Sequence, residues 1–158
     1  SVEQKLAGEP HSLRYEPGET SDAMFGGNSN WRGPIWAPLN HLLIEALHHL
    51  YAYFGADFRI AGVPGSLDVG ARQLVERLIS LFRRDPSGRR PFFGDQDYFQ
   101  SDPHWRDALW FFEHFHPESG AGLGASHQNG WTALIARLLH DEGRSIFTPC
   151  SPASRGEA

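Results

Sequence analysis

A single cysteine, Cys150, cannot close a disulfide within its own chain, and one thiol fits a reducing compartment such as the cytoplasm without fixing one. No apolar run approaches the ~18 residues that a membrane-crossing helix needs, and no basic-then-apolar stretch opens the sequence. Positive charge is also in short supply. With a net charge of −5 the chain offers no Lys/Arg stripe to displace counterions along a nucleic acid. Arg83, Arg84, Arg89 and Arg90 do cluster, but they flank a turn and read as a solvated loop. Familiar catalytic signatures are missing too: there is no Gly-x-Ser-x-Gly elbow, no Walker loop and no cysteine set at zinc spacing, and nothing calls for a cofactor.

What is present is aromatic and glycine-rich. Five Trp and eleven Phe in 158 residues suit either a large core or a cleft that stacks on sugar rings. Residues 1–36 carry Pro10, Pro17, Gly18, Gly26, Gly27, Gly33 and Pro34 and show no helical period, so a long irregular segment is expected there. It ends with Trp31, Arg32 and Trp36 among asparagines and glycines. Aromatic faces and amide or guanidinium donors of this kind could line a sugar site, or could simply anchor a packed loop. Ser1 stands where a methionine is usual. Residues 1–11 read as the interior of a longer sequence, although an excised methionine gives the same start.

Four helices are expected. The first starts at Pro38 and stops at Gly55, with Leu39, Leu42, Leu43, Ala46, Leu47 and Leu50 as its apolar face. Ser66 caps the second, whose stripe is Ala71, Leu74, Val75, Leu78, Ile79 and Phe82; the composition of residues 85–88 then reads as a turn. Residues 89–101 read as loop. Asp102 and Pro103 signal a third helix buried through Trp105, Leu109, Phe112 and Phe115, ending at residues 113–116 because Pro117 disfavours helix before it. The fourth runs from about Gly130 to a cap at Gly143. A disordered tail is expected over residues 144–158.

The chemistry gathers at residues 113–131. Glu113 closes an aromatic run, and Gly120, Gly122 and Gly124 follow it in a loop that must bring backbone close to something. A carboxylate in such surroundings can act as a general base, although a glutamate at a helix end is more commonly a surface residue. A rival reading pairs Glu45-x-x-His48 with Glu113-x-x-His116, and Glu76 as a further ligand, in a di-iron carboxylate bundle. His41, His48 and His49 also read simply as the polar margin of the first helix. Gly120–Gly124 follows a helix in this reading rather than a strand, which excludes a dinucleotide loop.

Three long motifs stand in order: Asn30-Trp-Arg-Gly-Pro-Ile-Trp-Ala-Pro-Leu-Asn40, Asp102-Pro-His-Trp-Arg-Asp107 and Glu113-His-Phe-His-Pro-Glu-Ser-Gly-Ala-Gly-Leu-Gly-Ala-Ser-His-Gln-Asn-Gly-Trp-Thr132. Together they resemble the C-terminal part of glycoside hydrolase family 63, the processing α-glucosidases and their bacterial relatives. Trehalases and mannosylglycerate hydrolases share a looser version. The resemblance spans residues 13–140 and implies an all-α fold, part of an (α/α)6 toroid, with residues 1–143 as the C-terminal segment of its catalytic domain. It also implies inverting hydrolysis of an α-glucoside or oligosaccharide, with Glu113 as the base and Trp31, Arg32, Trp36, Asn40 and Trp131 lining the glucose subsite. By the same resemblance the family's general acid is expected upstream of Ser1, and Asp22 is too near the first motif to take that part. The upstream part of the same enzyme is therefore the partner the site needs, and the isolated chain is expected to be inactive with sticky helical faces. A non-catalytic carbohydrate-binding or partner-completing helical fragment is the alternative.

Overall fold

The computed structural model describes residues 2–13, 15, 34–62 and 64–143. Trp31, Arg32 and the tail over 144–158 lie outside these residues. Among the described residues, strands β1 (Val2–Leu6) and β2 (Glu9–Leu13) come first, followed by helices α1 (Ala37–Phe54), α2 (Leu67–Ser80) and the short α3 (Asp97–Ser101). Two-residue strands β3 (His114–Phe115) and β4 (Gly122–Leu123) then precede α4 (Ile135–Gly143). The described residues are thus mostly helical, with few and short strands.

The β1–β2 hairpin falls in a segment expected to be irregular. Its two-residue turn places Ala7 at φ 51° and Gly8 at φ 87°, the left-handed geometry that matches strand twist.

Helix α2 follows its sequence closely. Ser66 accepts a long hydrogen bond from the Val69 N–H at 3.5 Å, and Ala71, Val75, Leu78 and Ile79 are buried. Leu74 and Phe82 join the same core. Each large side chain so buried contributes about 1.5–3 kcal/mol, and the stripe shares one core with Ile44, Phe92, Phe93 and Phe115.

Helix α1 has the expected span and stops at Gly55 (φ 82°), but a different face turns inward. Ile44 is buried and Leu47, His48 and Tyr51 are half-buried, at spacings of three and four that face α2. The richer leucine face is open instead: Leu39, Leu42, Leu43 and Leu50 are exposed, Leu42 to 65%. His48 is therefore not on a polar margin. It sits between the helices, 3.9 Å from Asp68, which also pairs with Arg72.

The third expected helix is absent. Asp102 caps a single turn, accepting from the His104 N–H at 2.8 Å and, through its carbonyl, from Arg106 N–H at 2.9 Å. The turn is not propagated. The Asp107 carboxylate bonds to Arg84 at 2.7 Å, and residues 108–110 run without regular structure. Leu109, expected to be buried, is exposed. Trp105 and Trp110 pack edge-on at 5.7 Å and join Phe99 and Phe93 in an aromatic cluster beside the core. The turn expected at residues 85–88 does form, with Asp85 Oδ1 accepting from Ser87 and Arg89 backbone N–H groups.

Candidate active site

Residues 111–115 hold Glu113 and lead into β3. Phe115 exchanges both backbone bonds with Ile35 (2.8 and 3.0 Å), and the residues on either side of it bond to the glycine-rich loop. Glu113 N–H donates to Ala125 O and His116 N–H to Ala121 O, each at 2.8 Å. Further out, Gln128 N–H reaches Phe111 O at 2.7 Å, and the buried Thr132 hydroxyl donates to Phe112 O. The segment before α1, the carboxylate strand and the loop are thereby fixed to one another.

Each loop glycine answers a close approach. A Cβ on Gly120 (φ 75°) would come within 3.0 Å of Leu81 and Pro91 side chains. On Gly122 it would enter the Phe112 ring at 2.1 Å. On Gly124 (φ 70°) it would stand 2.7 Å from Glu113 Oε2 and 2.9 Å from Glu113 Cβ. The loop tip is held by His116, whose Nδ1 accepts from the backbone N–H groups of Glu118 and Ser119 at 3.2 Å. Glu118 itself is exposed, as its loop position suggests.

Glu113 is half-buried, and its Oε2 accepts a long 3.4 Å hydrogen bond from Ala125 N–H. Beside it, the His114 ring stacks on Trp36 with centroids 4.7 Å apart, and Trp36 meets Trp131 at 5.7 Å. Trp36 is only 3% exposed, so it backs the aromatic group, whereas Trp131 is half-buried and presents surface. Asn40 uses its side-chain amide on the Trp36 carbonyl at 2.9 Å, which fixes the first turn of α1.

Glu113 and His116 lie on a hairpin rather than one turn apart on a helix, so the di-iron arrangement loses the geometry on which it depended. Among the described residues no three His, Cys, Asp or Glu side chains gather as a metal-binding group. Sequence reasoning singled out Glu113, Trp36 and Trp131, and the structure brings Trp36 and Trp131 together beside the Glu113 strand. It passed over His114 and the Ala125 N–H. A readable signal existed: a short polar–apolar alternation, then Pro117 and a glycine-rich return, which is a hairpin pattern.

No family model matches the sequence, and no solved structure matches it. Uncharacterized protein YMR196W of Saccharomyces cerevisiae is 47% identical over 150 residues, 90% of this chain. Mannosyl-oligosaccharide glucosidase of the same yeast is 30% identical over 75% of the chain, and Alpha-glucosidase 2 of Arabidopsis thaliana 29% over 71%. The chain spans 14%, 12% and 11% of the length of these three relatives. Over roughly three quarters of its length the chain is therefore a homologue of the processing glucosidases of glycoside hydrolase family 63.

Proposed function

We propose that this chain is the C-terminal catalytic segment of an inverting, α-glucosidase-like hydrolase, in which Glu113 is the general base. The observation that supports the reading is the half-buried Glu113 carboxylate, which accepts from the Ala125 N–H of the glycine-rich loop and directly precedes His114, whose ring stacks on Trp36. The names of the relatives, which act on glucosides, point the same way.

In inverting hydrolysis a water oxygen bonds to the anomeric carbon while a carboxylate removes its proton, and a second carboxyl group, about 6.5–9.5 Å away, protonates the departing oxygen as the C–O bond breaks. Glu113 takes the water's proton. The acid comes from another part of the protein. Trp131 supplies an apolar face for the sugar, Trp36 backs it, and Trp31, Arg32 and Asn40 complete the glucose subsite. The exposed leucine face of α1 docks on the remaining helices of an (α/α)6 toroid, of which this chain is a part. In the full-length protein, Glu113→Gln is expected to abolish turnover while glucoside binding stays within a few fold. Wild-type hydrolysis by that variant would sink the assignment.

The open face of α1 also favours a second reading, a helical fragment that completes a partner without catalysing anything itself. Turnover and binding measured together separate the two: a full-length protein that binds glucose or maltose and hydrolyses no glucoside supports the second.

A further inference from the structure

Gly124 occupies a position with a specific demand. The hairpin pairs His114 with Leu123, so one step along the register sets Gly124 opposite Glu113. Its φ of 70° turns the chain so that the next N–H, that of Ala125, points at Glu113 Oε2. Any Cβ at residue 124 would lie 2.7 Å from that oxygen, 2.9 Å from Glu113 Cβ and 3.2 Å from His114 Cε1. Real Cβ atoms do not approach so closely, so the carboxylate would have to swing off the loop or the hairpin would have to open.

From this contact we infer that Gly124 is a positioning residue for the reaction: its missing side chain is the space in which the Glu113 carboxylate lies against the loop backbone. The inference rests on Glu113 being the base. It differs from the packing of Gly120, which has the same backbone conformation (φ 75°) but faces Leu81 and Pro91, away from the carboxylate.

The test uses the full-length protein and α-D-glucosyl fluoride. Fluoride leaves with the bonding electron pair and needs no proton from an acid, so the rate reports water attack and proton removal by the base. Gly124→Ala is expected to lower kcat by about 10- to 100-fold, the scale of an ångström-level misplacement, with KM within about threefold. Gly120→Ala, strained in the same loop, should lower thermal stability comparably without that split between kcat and KM. If Gly124→Ala does not fold, Gly124→Asn keeps a Cβ while tolerating the left-handed backbone. Unchanged kcat in either folded variant, with Glu113→Gln inactive, overturns the positioning role and leaves the base intact. Full activity of Glu113→Gln overturns the base reading instead.

Discussion

The indole of Trp36 and the imidazole of His114 lie stacked, 4.7 Å between centroids and 26° between planes, joining the first residue before α1 to strand β3, which Glu113 directly precedes. One element supplies a buried indole and the other the imidazole that covers it. Trp36→Ala should therefore lower stability by about 3–5 kcal/mol, the cost of emptying a buried aromatic site. Trp36→Phe and His114→Ala, measured singly and together by urea denaturation, should show a coupling of about 0.5–1.5 kcal/mol. Strict additivity would mean that the stacking contributes nothing beyond burial.

Gly122 is the tightest point of the loop. Gly122→Ala drives a methyl into the Phe112 ring and should cost about 1–3 kcal/mol or more, since a packed core resists added volume. Gly130→Ala, with nothing within 4 Å, should stay within about 0.5 kcal/mol. Equal denaturation midpoints for the two variants would contradict the close approach.

His48 gives the α1–α2 interface a dependence on pH. Burial pulls its imidazole below the usual range, outweighing the raising influence of Asp68 and Glu45, while Arg72 and His49 lower it further. The folded state thus binds this proton less readily than the unfolded chain. Stability should fall as pH drops through the unfolded value, about 6.5, and the loss should level off below the folded one. Urea midpoints at pH 7.5 and 5.5 should differ more in the wild type than in His48→Gln; identical differences would remove His48 as the cause.

Leu42 tests the open face. In the isolated chain Leu42→Lys should reduce self-association, read by sedimentation, with a urea midpoint little changed because the side chain is 65% exposed. In the full-length protein the same change should lower the melting temperature if helices of the toroid cover this face. An unaltered melting temperature there would argue that the face stays in water.

Legibility varied with how local the cause was. Helix α2 could be read from Ser66 to Phe82 because cap and stripe agree and the whole stripe meets one core. For α1 the span was legible and the facing was not. Its leucines outnumber Ile44 and Leu47, so counting apolar residues selects the face that stays open. Asp102 and Pro103 are sound start signals, yet they made one turn only, since Asp107 is held by Arg84 and Glu113 by Ala125 across the loop. Those partners are distant in sequence, and periodicity within residues 103–115 carries no trace of them. The Ala7–Gly8 turn was invisible for the opposite reason: alanine is an uncommon occupant of a left-handed turn position. Glu113, Trp36 and Trp131 stood out through residue type and motif, but His114 needed the hairpin before its stacking partner could be known.

The double bond pair between Ile35 and Phe115 has a consequence in time as well as in space. Neither residue can release its amide proton to solvent unless the segment before α1 parts from the carboxylate strand. Deuterium uptake at residues 35 and 115 should follow a single opening event, with a shared rate, although 80 positions separate them in the chain.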